Sequence, residues 1–198
     1  MTLRSARWMI VPVAALSLSA CGINSVPTKE EAAKAKWANV EAAYQRRADL
    51  IPNLVETAKG ASQIEQSTLE GVMQARASAT QIKLSTDDLN SPEKVQAFQQ
   101  AQGQVTGALG RLMATVEAYP TLASQARFAD LMTQLEGTEN RINVSVQDYN
   151  GAVQDYNTTI RTFPDIIGAK IVHGAQPMTP YRAVTPNANQ APKVDFGQ

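Results

Sequence analysis

The chain has 198 residues, of which 43% are hydrophobic and 18% are charged, a composition typical of one ordinary folded domain with appended segments. Its 18 Lys and Arg residues balance 18 Asp and Glu residues, so we expect no nucleic-acid partner, because phosphate binding requires a basic excess. The single Cys, Cys21, excludes an internal disulfide framework and a thiolate metal cluster. The single His, His173, removes most general-base, His-metal and haem chemistry.

The N-terminal segment has the pattern of a secretory signal. Arg4 and Arg7 precede an apolar run over 8–18, about half the roughly 20 residues that a membrane-spanning helix requires. This predicts a signal peptide over 1–20. The sequence LSACG at 18–22 is similar to a bacterial lipobox, in which the Cys is acylated and becomes the first mature residue. We therefore predict lipid attachment, such as palmitate, at Cys21 and a lipidated linker over 21–27.

Acylation of Cys21 would hold the domain at a membrane outside the cytoplasm, since each buried methylene contributes about 0.8 kcal/mol. The next residue is Gly22 rather than Asp, so the lipoprotein retention signal of the inner membrane is absent. In a cell with two membranes this similarity to sorting rules favours the outer membrane. The alternatives are an uncleaved anchor and a buried apolar Cys.

The first long segment of the mature chain begins with a capping box. Thr28 is followed three residues later by Glu31, which predicts a helix N-terminus at the Thr. Pro52 lacks a backbone N–H, so we expect a kink or a full break over 48–52, which leaves three or four helices open. Apolar or small residues recur in a heptad seam, as in coiled coils, at Trp37, Val40, Tyr44, Ile51, Leu54, Ala58, Ala61, Thr68, Val72, Ala75, Ala79 and Ile82.

Two further helices follow. Ser91 and Pro92 suit an N-cap and a first helical position, and this second helix ends before Pro120. Its stripe, again at spacings of three and four, is Val95, Phe98, Gln102, Val105, Leu109, Leu112, Val116 and Tyr119. The third begins near Thr121 and carries the most regular apolar stripe in the chain, at Phe128, Leu131, Leu135, Thr138, Ile142, Val146, Tyr149, Val153, Tyr156, Ile160 and Phe163. Short connections and the lack of strand alternation predict an all-α fold, an elongated antiparallel up-and-down bundle of three to four long helices.

The bundle is expected to span 28–173, with a short helix over 165–172. Four Pro residues lie in the segment 174–198, which has almost no periodicity and is predicted to be an extended or disordered tail. Its apolar residues Val194 and Phe196 are candidates for docking on the bundle.

Three glycines lie inside the second predicted helix, although each costs a helix interior about 1 kcal/mol relative to Ala. Gly103, Gly107 and Gly110 are spaced by four and three residues, which gives a smooth face. One interpretation is that another helix of the same chain approaches this face closely. The other is contact with a second copy or a partner protein.

Charged residues on the apolar stripe are the other unusual feature. Arg47 and Glu65 fall on the apolar stripe of the first segment. On the third helix, Glu139 and Asn140 directly follow Thr138, the polar member of that helix's stripe. These residues predict either an internal polar network that fixes helix register or a patch that receives a partner. We hypothesise that Arg47 pairs with a carboxylate of another helix.

Longer motifs resemble the signature of the LemA family. The matching segments are RRADLIPNLVET at 46–57, EAYP at 117–120, LEGTENRI at 135–142, YN at 149–150 and 156–157, FP at 163–164 and APKVDF at 191–196. The resemblance implies a helical bundle of the cell envelope, tethered at its N-terminus, in a family without a settled function or an established catalytic activity. Many family members resemble proteins that keep an N-terminal transmembrane helix, whereas this chain has LSAC at 18–21, which favours a lipid anchor. The stretch 143–148 also departs from the family pattern.

The resemblance provides candidate structural or partner-binding residues and no catalytic, metal or cofactor residue. These candidates are Arg46, Arg47, Asp49, Pro52, Asn53, Glu65, Glu139 and Asn140. We expect a non-enzymatic envelope lipoprotein that acts as a scaffold or adaptor for an envelope protein, with a homo-oligomer as the other kind of assembly. The first alternative is a sensory or regulatory lipoprotein. The second is a hydrolase or ligand carrier that uses the carboxylates Glu56, Glu65 and Glu70.

Overall fold

A computed structural model describes the backbone of residues 3–60, 64–119 and 125–182, and the side chains of these ranges from residue 23 onward. Within them every regular element is helical, which confirms the all-α bundle. The elements are α1 (Leu3–Lys59), α2 (Gln66–Gln81), a 3₁₀ helix (Thr86–Asn90), α3 (Pro92–Glu117), α4 (Ala126–Thr159), α5 (Asp165–Gly168) and a π-helical turn (Ala169–His173). The start of α3 at Pro92 and a short helix after residue 164 were both predicted correctly.

The first helix differs from the prediction at its start. Residues 22–27 are part of α1, and Thr28 is not an N-cap, since its Oγ1 donates to the carbonyl oxygen of Asn24 at 2.7 Å inside the helix. Pro27 also lies within this helix, where its missing N–H removes the usual donor to the carbonyl of Ile23. Nε2 of His173 lies 2.8 Å from that oxygen. The imidazole therefore supplies the donor that Pro27 lacks, and the helix continues through the proline.

Pro52 follows the same pattern. A break over 48–52 does not occur, because α1 continues to Lys59. The carbonyl that loses its donor at Pro52 is that of Ala48, four residues earlier, and Nε of Arg76 on α2 donates to this oxygen at 2.6 Å. Instead, α1 ends at Lys59 and α2 begins at Gln66, so the segment predicted over 28–82 contains two helices.

We expect Arg76→Met to lower the free energy of unfolding by about 1–3 kcal/mol, because it leaves the Ala48 carbonyl without its donor. In a Pro52→Ala background the helix regains its own N–H, so the same Arg76 substitution should have a clearly smaller effect. Denaturant unfolding of the four variants of this double-mutant cycle measures the coupling. Equal effects of Arg76→Met in both backgrounds would show that the two side chains are not linked through Ala48.

Contacts divide the chain into two compact units. Unit 1 comprises 1–45, 85–92 and 138–180, and unit 2 comprises 46–84, 93–137 and 181–198. In unit 1 the indole of Trp37, 1% exposed, meets the ring of Tyr149 edge-on, with centroids 5.1 Å apart. In unit 2 apolar residues of α1, α2, α3 and the start of α4 share one core, including Ile51, Leu54, Ala58, Leu69, Val72, Val105, Leu109, Leu112, Phe128 and Leu135.

The segment after Gly174 is extended and packed as far as it is described. Gly174 takes the left-handed conformation that ends the π-helical turn, at φ 56°, a geometry that favours glycine. Asn157 then accepts from the N–H of Met178 at 2.9 Å and donates to its carbonyl at 2.8 Å. Burial raises the pKa of Tyr149, so its phenol stays protonated and donates to the carbonyl of Thr179 at 2.9 Å. Val194 and Phe196 lie outside the described residues.

Candidate functional site

Arg47 is the buried centre of the predicted site. Its side chain is 2% exposed and lies against α3 in unit 2. Nη2 donates to the side-chain oxygen of Gln102 at 2.6 Å and to its backbone carbonyl at 3.2 Å, and Nη1 donates to Oγ1 of Thr106 at 3.0 Å. These hydrogen bonds from a buried guanidinium fix the position of α3 along α1. The pairing of Arg47 with a carboxylate stays a prediction.

The residues beside Arg47 in the family motif occupy different environments. Arg46, Asp49 and Asn53 are exposed on α1, and Pro52 is half-buried where Arg76 bridges to Ala48. Glu65 is exposed ahead of α2, where Oγ of Ser67 donates to its carboxylate at 3.3 Å. The motif around 46–57 therefore combines one buried cation with a polar helix surface.

The candidates on α4 belong to unit 1. Thr138 is buried, Glu139 is half-buried and Asn140 is exposed. The buried threonine is the residue that the apolar stripe predicted.

Three residues around Arg47 and Pro52 were missed as site residues. Gln102 occupied a seam position in the second predicted helix, and a polar residue on an apolar stripe was the available signal for a partner of Arg47. Thr106 and Arg76 gave no such signal, because each is polar and lies off the stripe.

The glycine face of α3 is open. A Cβ added at Gly107 would meet only Nη1 of Arg111, at 3.8 Å, and a Cβ at Gly110 would meet nothing within 4 Å. Among the described residues, no other helix packs closely on Gly107 or Gly110, so the interpretation of close packing by another described helix is wrong at these two positions. Larger side chains on other faces of α3, among them Val105, Leu109 and Leu112, belong to the core that α3 shares with α1, α2 and the start of α4.

Gly107 lines a shallow depression between α2 and α3, with a volume of about 580 Å³. We call it the glycine groove. Small residues form much of its floor, and glutamines with one arginine supply its polar groups. Its lining residues are Gly71, Gln74, Ala75, Ser78, Gln100, Gly103, Gln104, Gly107 and Arg111.

The carboxylates of the enzymatic alternative are on the surface. Glu56, Glu65 and Glu70 are all exposed, Glu56 is 3.7 Å from Lys59, and Glu70 accepts from Gln66 at 2.6 Å. Glu70 also lines a second depression, of about 440 Å³, with a largely apolar wall formed with Val55, Lys59, Ile64, Gln66, Leu69 and Met73. Within the side chains that the structure describes, no three His, Cys, Asp or Glu residues are grouped to hold a metal.

The fold and this site define an all-α bundle. Its buried Arg47 is hydrogen-bonded to Gln102 and Thr106 of α3, and small residues line the glycine groove between α2 and α3. The family model of the LemA family matches residues 36–196, and the chain belongs to that family. The magnetosome proteins MamQ 1 and MamQ 2 of Paramagnetospirillum magneticum are each 30% identical to it over 157 residues. The magnetosome protein MamQ of Magnetospirillum gryphiswaldense is 29% identical over 157 residues.

Each of these alignments covers 71% of the present chain and 58% of the relative, so the chain spans less than two thirds of the length of these MamQ proteins. The family and these relatives support a membrane-associated envelope protein of non-enzymatic type. In the described part of the chain, none of the helices combines the length and apolar character needed to cross a membrane.

Proposed function

We propose that this chain is a lipid-anchored, non-enzymatic envelope protein that acts as an adaptor. The glycine groove is proposed to receive a helix of a protein partner. The single observation behind this proposal is that small residues line the groove and that, at Gly71 and Gly107 in this lining, an added Cβ would fit without a clash against any described residue.

The glycines of α3 lower the intrinsic stability of this helix. Each glycine in a helix interior costs about 1 kcal/mol relative to Ala, and at Gly107 and Gly110 an added methyl group would fit without a clash. Folding alone therefore favours Ala at both positions. At Gly107, which lines the groove, a partner helix that lies on the backbone of α3 gives a reason for glycine, because the approach is closest where Cβ is missing.

The groove also determines what kind of helix would fit. Its glutamines, such as Gln100 and Gln104, offer both donors and acceptors, and Arg111 adds a positive charge at one end. We infer a partner helix with small residues along one stripe and a carboxylate that reaches Arg111.

The anchor is proposed to be an acylated Cys21. Its support is the LSACG sequence directly after an apolar run that is too short for a spanning helix. Gly22 at the following position favours the outer membrane in a cell with two membranes.

A leucine at Gly107 tests the groove. Gly107→Leu places a side chain where the partner backbone would lie, so we expect at least a tenfold loss of partner capture with unchanged helix content. The matched control is Gly110→Leu, which makes the same change on α3 outside the groove lining and should retain capture. The measurement is crosslinking of the full chain in intact cells, with circular dichroism of both purified variants.

Equal capture by the Gly107→Leu and Gly110→Leu variants would contradict the groove as the binding surface. Adducts that contain only a second copy of the chain would replace the adaptor with a homo-oligomer. Unfolding of the Gly107→Leu variant alone would show that a packing contact within the chain explains the glycine.

A further inference from the structure

The end of unit 1 carries an exposed apolar surface that the proposed adaptor role does not use. Its members range in exposure from 38% at Ile23 to 78% at Ile171. We call this surface the apolar patch, formed by Ile23, Phe163, Ile167, Ile171 and Val172. Ile167 and Ile171 are four residues apart on one helical segment, so they lie on neighbouring turns of the same face.

Two contacts hold this segment beside the N-terminal part of α1. Oγ of Ser25 donates to the carboxylate of Asp165, at the start of α5. At the other end of the segment, Nε2 of His173 donates to the carbonyl of Ile23 at 2.8 Å. Residue 23 is two positions after Cys21, about 3 Å further along a helix that rises 1.5 Å per residue. The apolar patch therefore lies directly next to the proposed anchor.

The charge around the patch is positive. Arg161 and Lys170 are exposed on or beside the segment, and its one acidic residue is Asp165, whose carboxylate accepts from Ser25, so residues 161–173 carry a formal charge of +1 with His173 neutral. Exposed aliphatic and aromatic side chains with basic neighbours suit the boundary between acyl chains and anionic headgroups.

We propose that the apolar patch inserts into the interface of an anionic lipid bilayer and orients the bundle against the membrane. The proposal rests on the proposed anchor at Cys21, because tethering there keeps the patch at high local concentration next to lipid. Stable attachment through acyl chains commonly takes a second signal, and a basic apolar surface beside the anchor supplies one. The His173 contact to Ile23 then has two roles, since it completes α1 at Pro27 and positions the patch.

The test uses the full chain, reconstituted into vesicles of phosphatidylcholine and phosphatidylglycerol that contain spin-labelled lipids. An environment-sensitive fluorescent amino acid replaces Ile171 in one sample and Val144 in the other. Val144 is the matched control, because it is also an exposed aliphatic residue of unit 1, 52% exposed, but lies on α4 at least 15 residues before that helix ends. Flotation of the chain with the vesicles measures membrane attachment through the anchor, independently of the fluorescent amino acid.

We expect blue-shifted emission and quenching by the spin-labelled lipids at position 171, with at least a twofold smaller quenching at position 144. Replacing phosphatidylglycerol by phosphatidylcholine should reduce the quenching at 171. A chain that floats with the vesicles while position 171 stays in water overturns the patch and leaves the anchor intact. Blue-shifted emission without lipid quenching also overturns it, since a protein then covers the patch. A chain that does not float overturns anchor and patch together.

Discussion

Replacing Arg47 by methionine is expected to lower the free energy of unfolding by about 2–4 kcal/mol. Methionine fills much of the same volume, but it donates to neither oxygen of Gln102 nor to Thr106, which lie 2.6–3.2 Å from the guanidinium. The side-chain oxygen of Gln102 would then remain in a largely buried site without this charged donor.

Denaturant unfolding followed by circular dichroism measures this loss, and Arg46→Met is the control. Arg46 is the exposed neighbour on the same helix, so its replacement should change the free energy of unfolding by less than about 0.5 kcal/mol. A double variant with Gln102→Leu should recover part of the loss, because it removes the side-chain oxygen of Gln102 that Arg47→Met leaves without its charged donor. If Arg47→Met changes neither stability nor partner capture, both the register and the partner interpretations of Arg47 are wrong.

Trp37→Ala is expected to destabilise the chain by about 3–5 kcal/mol, the largest effect of a single substitution in unit 1. The indole is 1% exposed and lies edge-on to Tyr149, so its removal leaves a cavity and loses an aromatic pair. Because Tyr149 donates to Thr179, we also expect the extended segment after Gly174 to lose protection.

Hydrogen exchange and thermal unfolding measure both effects of Trp37→Ala. Lys36→Ala is the matched control, since Lys36 makes an exposed ion pair of 2.8 Å with Asp148 that should contribute at most about 1 kcal/mol. A similar loss of stability in both variants would contradict the assignment of Trp37 to the core.

The core could be predicted because apolar residues at heptad spacing lie on one face of a helix, and that face is buried against neighbouring helices. Residues such as Trp37, Leu112 and Tyr149 were expected on buried stripes and are buried in the structure. The same reasoning placed Arg47 on the stripe and therefore next to another helix. The polar partners of Arg47 on α3 could not be predicted, because the sequence does not fix the register between two helices.

The wrong expectations at Pro27 and Pro52 have one physical origin. Pro27 was placed at the end of a linker, and Pro52 was interpreted locally, as a residue that kinks or breaks a helix. In the structure a side chain distant in sequence donates to each freed carbonyl, His173 to Ile23 and Arg76 to Ala48. Local sequence shows that a proline removes a donor, but it does not show that the tertiary fold replaces it.

For the glycines of α3, the sequence predicted a smooth helix face but not what lies against it. Their spacing indicated a smooth face, but only the coordinates show that Gly107 and Gly110 face open space. That result turns a packing feature into the basis for the proposed partner surface.

Photo-crosslinking at Gln104 in intact cells tests the central claim most directly. A photoreactive amino acid replaces Gln104 in the glycine groove, or exposed Gln147 on α4 as the control, and mass spectrometry identifies the adducts and the N-terminal peptide. If the chain is a lipid-anchored adaptor, we expect one envelope protein crosslinked through position 104, no such adduct through position 147, and acyl chains on Cys21. Absence of that adduct at position 104, or an unmodified Cys21 in the mature chain, would contradict it.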